Sequence, residues 1–362
     1  MSAIATMKGL ILSGGRGTRL RPLTFTRAKQ LIPIANKPNL FYVVEDLAGA
    51  GVTDIGVIIS PETGGEIRQA LGDGGRWGVR FTFIQQDAPQ GLAHAVKCAR
   101  GFLGDDPFVM YLGDNLLSGG IVDLVNEFRQ GQADSIVLLT PVDNPSQFGV
   151  AAVDSAGNII RLIEKPKDPP SNLALVGVYI FKPIIHDVIE QLQPSGRGEY
   201  EITDAIQGLI DRRRKVVAHQ VRGWWKDTGK PGDLLEANHL VLSRVARNVS
   251  GQVENSELVG AVVVEEGARI INSRVRGPVH IAAGALVADS YVGPYTSVGP
   301  GAKILRSEVE NSILLQDALV QDLDRRLDSS LVGQDAVVIG GDPAVQRNTV
   351  NLVIGDASQV KL

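Results

Sequence analysis

Aliphatic residues in the last third of the chain recur at a fixed spacing. Val253, Leu258, Val264, Ile270, Val275, Ile281, Val287, Val292, Val298, Ile304, Val309 and Leu315 are separated by gaps of 5, 6, 6, 5, 6, 6, 5, 6, 6, 5 and 6 residues. Each turn of the pattern is therefore 17 residues long and made of three short flats. Neither the 3.6-residue period of a helix nor the alternation of a single strand reproduces it. A parallel β-helix with hexapeptide-type flats does, because each coil stacks on the last and buries one apolar column per flat. A small sandwich with frequent turns is the alternative for such short apolar runs. The pattern lapses after Leu315, where Asp322, Asp324, Arg325 and Arg326 crowd a polar stretch, and Ser330–Gly333 with Leu352–Gly355 are candidates for a cap.

Before about Arg244 the pattern is different. Short β-rich apolar runs, at Met7–Ser13, Asp54–Ser60, Val79–Gln85, Phe108–Tyr111 and Ser135–Pro141, alternate with helical stretches around Pro38–Ala50, Gly64–Leu71, Leu92–Gly101 and Ile121–Gln130. Further strands are predicted at Val150–Asp154, Ile159–Glu164, Ala174–Phe181 and Lys215–Val221, with a closing helix from Pro231 to Ser243. This is the pattern of an α/β fold whose mostly parallel sheet is covered by helices. Two domains follow, residues 1–243 and 244–362, and in the first of them ligands are expected beyond the carboxyl ends of the strands.

Composition narrows the function classes. With 36 Lys and Arg against 40 Asp and Glu, and a net charge of −4, the chain has no overall positive field for nucleic acid or anionic lipid. Neither part carries a basic arm. A 44% hydrophobic content excludes a disordered chain. The single cysteine, Cys98, excludes an internal disulfide framework and fits a reducing compartment. Met1–Thr6 is too short and mixed for a secretory signal, and no apolar run approaches the ~20 residues of a membrane span. A soluble cytoplasmic protein is expected.

Directly after the first strand comes G-G-R-G-T-R-L, Gly14 to Leu20, followed by Pro22 and Lys29. Glycines there let backbone N–H groups turn toward a phosphate chain. The segment lacks the G-K-[ST] ending of a P-loop, and its spacing is not G-x-G-x-x-G. Arg19 and Lys29, just downstream, suit a triphosphate whose charge must be held and redistributed. The strand Phe108–Leu112 ends in Gly113-Asp114-Asn115, and Trp225-Lys226-Asp227-Thr228-Gly229 offers a second carboxylate. Mg²⁺ takes one or two carboxylates plus phosphate oxygens and water, so two such aspartates suffice for a metal that arrives with substrate. His94, His186, His219, His239 and His280 are scattered and offer no zinc site.

These motifs resemble the sugar-1-phosphate nucleotidylyltransferase family, in its long glucose-1-phosphate thymidylyltransferase form. The matching segments are G-G-R-G-T-R-L-R-P-L-T (14–24), K-Q-L-I-P-I-A-N-K-P (29–38), P-Q-G-L-A-H-A (89–95), G-D-N (113–115), F-G-V (148–150), E-K-P (164–166), S-N-L-A-L-V-G-V-Y (171–179), R-G-E-Y-E-I-T-D (197–204) and W-K-D-T-G (225–229). The repeats, with G-P-Y-T-S-V-G (293–299) and R-R-L-D-S-S-L-V-G (325–333), also look like that family's tail.

The resemblance implies a Rossmann-like mixed sheet followed by a left-handed β-helix, and transfer of a thymidylyl group from dTTP to glucose-1-phosphate with release of pyrophosphate. It implies that Gly14, Gly15, Gly17 and Thr18 line the nucleotide phosphates, Arg19 neutralises charge developing on pyrophosphate, and Lys29 acts on the reacting phosphates. Asp114 and Asp227 would hold Mg²⁺. Gln86 would read the pyrimidine edge with its amide, although Gln85 is an equal candidate for the inward residue, and Gly91 would add a main-chain contact. Asn115, Gly149, Glu164, Asn172 and Tyr179 would contact sugar hydroxyls, while Lys165 and Arg197 would clamp the sugar phosphate. Two residues depart from the family pattern: Phe148 stands where a Tyr is common, and Ala28 where a Pro often precedes the lysine.

Three alternatives accompany this reading. A uridylyltransferase using UTP differs by one methyl on the base. A hexapeptide-repeat acyltransferase would use His280 as general base. A non-catalytic regulatory subunit would keep the fold without turnover. The flat faces of the solenoid also predict a homo-oligomer.

Overall fold

A computed structural model describes residues 7–340, 349–350 and 352–361; Met1–Thr6 lie outside the described residues. Contacts divide the chain into two units. One holds the chain up to Arg16 together with Leu40–Asp227, and the other holds Gly17–Asn39 and Thr228 onward. The boundary expected at 243/244 thus differs from the contact grouping at 17–39 and at 228–243.

The first unit is an α/β sheet. In chain order its elements are β1 (Lys8–Leu12), α1 (Asn39–Gly49), β2 (Asp54–Ile59), α2 (Gly64–Leu71), β3 (Arg80–Gln85), α3 (Leu92–Cys98), α4 (Arg100–Leu103) and β4 (Phe108–Leu112). There follow β5 (Asn115–Leu117), α5 (Val122–Gln130), β6 (Ser135–Pro141), β7 (Gly149–Val153), β8 (Ile159–Glu164) and β9 (Leu173–Phe181). The last are α6 (Ile185–Ile189), α7 (Ile202–Asp211), β10 (Val216–Gln220) and β11 (Trp225–Asp227).

Among the described residues nine strands form one sheet, ordered β8-β7-β9-β4-β1-β2-β3, with β6 pairing both β9 and β10. β1 lies parallel to β2 and β4, and β2 parallel to β3. Four of the five residues of β1 are buried, as expected of a central parallel strand covered on both faces. β9 runs antiparallel to β4 and makes the sheet mixed and Rossmann-like. Because β1, β3 and β4 point the same way, the residues that follow them, Gly14, Gln86 and Asp114, emerge at one edge of the sheet.

The strands predicted from the sequence all form, within a residue or two at their ends. Two helices were not anticipated, α6 and α7. The second buries Ile202, Ala205, Ile206 and Leu209 along one helical face against the sheet core. Also unanticipated is the two-stranded ribbon in which β11 pairs antiparallel with β5.

The second unit is a β-helix. Among the described residues its three parallel sheets hold seven, seven and six strands. Arg269 pairs with Leu286 and Leu286 with Lys303, a step of 17 residues, and Val264, Ile270, Val275, Ile281, Val287 and Val292 are fully buried. The lapse after Leu315 is a change of coil length: Lys303 pairs with Leu319 and Leu319 with Val337, steps of 16 and 18 residues. The stack continues, for Leu331 and Val332 pair in parallel with Val353 and Ile354. Both segments read as candidate caps carry strands of the stack, and the second lies at the end of its sheet.

A serine ladder runs down one corner of the coils. Ser273, Ser290 and Ser307 each follow a residue in the left-handed region (Asn272, Asp289, Arg306), and each hydroxyl donates to a carbonyl two residues back. The same oxygens accept the backbone N–H of Ser290, Ser307 and Leu323 on the next coil. This satisfies corner groups that strand pairing leaves open.

In the same unit a short hairpin, Pro33–Ile34 with Lys37–Pro38, packs on α8 (Pro231–Leu242). The fully buried Asn238 of α8 joins three segments. Its Oδ1 accepts from the Ala35 N–H at 2.8 Å and the Ser297 hydroxyl at 2.7 Å, and its Nδ2 donates to the Tyr295 carbonyl at 3.0 Å.

Candidate active site

At the carboxyl edge of the sheet, Gln86 is buried, while Gln85 is exposed and bonded to Asp87. The structure thereby decides which of the two faces inward. The Gln86 Nε2 donates toward the Gly91 carbonyl at 3.4 Å and lies 3.0 Å from His94 Nδ1. Its Oε1 lies 3.1 Å from where a side chain at Gly14 would begin, so the absence of a Cβ there leaves that oxygen uncovered. Gly91 has φ +103°, and a Cβ would meet the Tyr200 carbonyl at 2.4 Å. Only glycine fits that turn.

Asp114 is 6% exposed at the end of β4. The register of the ribbon sets Asp227 directly across from Asn115, one residue from Asp114, so the two aspartates, 113 positions apart in sequence, meet as backbone neighbours. Asn115 is 1% exposed. Its Oδ1 accepts the Trp225 indole N–H at 2.7 Å and the Gly177 N–H at 3.2 Å, and its Nδ2 donates to Asp114 Oδ1 at 3.4 Å. The Asn115 oxygen is thus engaged within the protein, and one of its amide hydrogens is turned toward Asp114.

A second cluster surrounds Glu164. Gly149 pairs with Glu164 across β7 and β8, and a Cβ at Gly149 would meet Thr203 at 2.6 Å and Glu164 Oε2 at 3.1 Å. Thr203 Oγ1 donates to Glu164 Oε2 at 3.4 Å. Arg197 Nη1 lies 3.2 Å and Lys165 Nζ 3.8 Å from Glu164 Oε1. Arg197 also pairs with Glu199 at 3.2 Å and Glu201 at 3.3 Å. Burial pushes the Glu201 carboxyl above its ordinary range, offset by the hydrogen bond from Ser195 at 2.8 Å. Beside this cluster opens a pocket of about 590 Å³ lined by Arg161, Glu164, Arg197, Glu201, Asp204 and Gln207 among others.

The remaining expected sugar contacts fall differently. Tyr179 is 4% exposed with its ring stacked on Phe181, so it belongs to the core. Burial first and the Glu164 charge second raise its phenol well above the ordinary range. Asn172 is exposed, and its carbonyl accepts the Val142 N–H. Phe148 packs edge-on against Trp225, with centroids 5.6 Å apart. Lys165 adopts the left-handed backbone (φ 42°), a costly conformation for any residue that carries a Cβ.

The second unit carries the rest of the glycine loop. Gly17 sits at φ +63°, and a Cβ there would meet Lys29 Cβ at 3.0 Å and Thr24 Cγ2 at 3.1 Å. Thr24 donates to the Gly17 carbonyl at 2.7 Å. Gly17 and Lys29 are thus neighbours, and Arg19 is exposed in a single 3₁₀ turn, Thr18–Leu20, pinned by buried Leu20. Ala28 is buried at φ −65°, the angle a proline at this same position would have fixed, so the backbone takes that conformation without one.

His280 is not a free base. Its Nδ1 lies 3.0 Å from the Ala35 carbonyl and its Nε2 2.8 Å from Glu265. Among the described residues no group of three or more His, Cys, Asp or Glu is placed to hold a metal, and no helix is long and apolar enough to cross a membrane. The residues that sequence reading missed are His94, Glu201, Thr203 and Trp225. Each lies inside a motif already singled out, but only the folded contacts separate it from its neighbours.

A glycine turn, a buried amide and two neighbouring aspartates at the carboxyl edge of a mixed sheet suit the nucleotide-handling class of phosphate-transfer enzymes. The nucleotidyl transferase family profile matches residues 8–244, and the chain belongs to that family and is a nucleotidyltransferase. It is 53% identical over 98% of its length, and 100% of the relative's, to the low-salt glycan biosynthesis nucleotidyltransferase Agl11 of Haloferax volcanii. It is 49% identical to a glucose-1-phosphate thymidylyltransferase of Streptomyces antibioticus, covering 98% and 99% of the two chains. A solved glucose-1-phosphate thymidylyltransferase, described as such provisionally, from Bacillus anthracis superposes with TM-score 0.62 at 39% identity, covering 65% of this chain and 94% of that one. Nucleotidyltransferases of this kind generally use a divalent metal.

Proposed function

We propose that this chain transfers a thymidylyl group from dTTP to glucose-1-phosphate. A phosphate oxygen of the sugar phosphate attacks the α-phosphorus, the bond from that phosphorus to the bridging oxygen of the β-phosphate breaks, and pyrophosphate leaves. The observation that carries the reading is the convergence at one sheet edge of Gly14, buried Gln86 and Asp114, with Asp227 brought beside Asp114 by the ribbon. The name of the full-length Streptomyces antibioticus relative supports the substrates.

Gly14, Gly15, Gly17 and Thr18 present backbone N–H groups to the phosphate chain. Arg19 offsets charge on the departing pyrophosphate, and Lys29 holds the reacting phosphates in line. Gln86 reads the base, with Gly91 shaping its turn. Glu164, beside Gly149, accepts sugar hydroxyls, while Asn172 and Tyr179 close that side. Arg197 and Lys165 bind the sugar phosphate by trading part of their pairing with Glu164.

Asp114 and Asp227 fit Mg²⁺: two hard oxygen donors, with no third His, Cys, Asp or Glu grouped with them among the described residues, leave positions for water and substrate phosphate oxygens. When bound, the cation supplies charge stabilisation on those oxygens. The reading includes a cytoplasmic, homo-oligomeric enzyme.

Pyrophosphate release with Mg²⁺ and glucose-1-phosphate, comparing dTTP, UTP, ATP and GTP, tests it. Turnover with dTTP, with UTP the nearest competitor, is expected, since one methyl in an apolar contact is worth only about 1 kcal/mol. A purine preference sinks the Gln86 role, and no release with any nucleotide would favour a non-catalytic subunit.

A further inference from the structure

Gln86 can face a nucleotide in two ways, with its carbonyl or with its amine, and the contacts around it admit one. The Gly91 carbonyl only accepts hydrogen bonds, so the amide group 3.4 Å from it is the NH₂. The same nitrogen lies 3.0 Å from His94 Nδ1. An amide nitrogen accepts nothing, so Nδ1 must be the acceptor and the ring proton sits on Nε2, 3.7 Å from Cys98 Sγ. Burial and the neighbouring Lys97 charge lower the affinity of His94 for a second proton and keep it in that neutral form. The ring is stacked on Tyr200, with centroids 6.1 Å apart. Both amide hydrogens are then occupied, and Oε1 alone is presented over Gly14.

We infer that His94 is a positioning residue for base selection: it fixes Gln86 as a hydrogen-bond acceptor, so the site takes a nucleotide whose base offers an imino N–H, as thymine and uracil do at N3. Cytosine presents a lone pair at N3 and meets the Gln86 oxygen with repulsion. This rests on the proposed reading of Gln86 as the base contact.

The test is kcat/KM for dTTP and dCTP, by pyrophosphate release, in the full chain and in His94→Phe, His94→Gln and Gln86→Ala. His94→Phe removes the acceptor, frees the amide to turn over, and is expected to lower the dTTP:dCTP ratio about tenfold. His94→Gln, which can accept through its own carbonyl, is expected to keep the ratio within about threefold. Equal losses for both nucleotides in His94→Phe, with the ratio unchanged, would show a structural role and overturn the inference. Gln86→Ala separates the two layers. If it leaves the ratio unchanged, the base-reading role of Gln86 is wrong; if it collapses the ratio while His94→Phe does not, only the His94 inference fails.

A pH profile of the unaltered protein covers the case in which His94→Phe does not fold. The charged and titratable groups facing His94 are Lys97 and Cys98 on α3 and Tyr200, with Asp87 acting on Cys98. As pH falls through the lowered His94 titration, Nδ1 gains a proton and stops accepting, so the dTTP:dCTP ratio should fall on the acid side and stay level in His94→Gln. A ratio that is level in both counts against the inference.

Discussion

Arg27 and Asp356 lie 329 residues apart in the chain, and their side chains meet with Nε donating to Oδ2 at 3.1 Å. Thr26 adds its hydroxyl to the same carboxylate at 2.6 Å, Arg27 reaches Gln334 as well, and Pro22 packs on Gly355. The segment that carries Arg19 and Lys29 is therefore anchored on the final coils of the β-helix. The expected consequence is that Asp356→Ala leaves a largely buried guanidinium without its carboxylate, with only Gln334 still bonded to it. Stability should fall by about 1–3 kcal/mol and kcat should fall with it, as Arg19 and Lys29 lose a fixed base. Thermal unfolding and pyrophosphate release on the variant check this, and an unchanged kcat would mean that the anchor holds only the fold.

Asp114 is oriented through Asn115, which is itself held by the Trp225 indole. Trp225→Phe keeps the packing on Phe148 and removes one N–H donor from a buried oxygen. An expected loss of about 1–2 kcal/mol should appear as a raised Mg²⁺ requirement, roughly five- to thirtyfold, with little change in the KM for glucose-1-phosphate. Asp114→Asn should cost far more, on the order of a hundredfold or greater in kcat. A Mg²⁺ titration of activity separates the two, and normal turnover in Asp114→Asn would remove the metal role.

His186 is buried against Phe108, and its Nε2 has no hydrogen-bond partner among the described residues. Burial first and the Arg100 charge second lower its pKa to about 4. An unfolded histidine takes its proton near pH 6.5, so between 6.5 and 4 the unfolded state binds more protons and stability falls as pH falls. The loss reaches up to about 3 kcal/mol and ends below pH 4. In His186→Phe that part of the acid limb should flatten, which denaturant titrations at pH 7, 5.5 and 4.5 would reveal.

Ser290 donates to the Ala288 carbonyl and accepts the buried N–H of Ser307. Ser290→Ala leaves that N–H unsatisfied and is expected to lower stability by about 1–3 kcal/mol. A matching change at exposed Ser146 should alter it by less than about 0.5 kcal/mol, as urea unfolding would show.

Much of this was legible from local pattern. The apolar runs that became β1, β2 and β4 are continuous because those strands are covered on both faces, and the 17-residue period shows because each coil repeats one environment. The lapse after Leu315 misled because coils one residue shorter or longer than 17 destroy the periodicity without breaking the stack. α7 was missed although its apolar spacing is helical, since it lies within a run dense with charged and turn residues.

At the site, residue types were legible and their duties were not. Asn115 and Gln86 carry the same functional group, yet one amide is consumed by Trp225, Gly177 and Asp114 while the other leaves an oxygen facing Gly14. Sequence alone determined the two repeating grammars, the glycine loop and the pair of remote aspartates, because each depends on side-chain type or on local spacing. Only the tertiary structure decided that Asp227 stands beside Asp114, that Gln86 rather than Gln85 turns inward, and that Arg27 is tied to Asp356. Those outcomes depend on which distant groups compete for each hydrogen bond and each buried volume, and that competition exists only once the chain is packed.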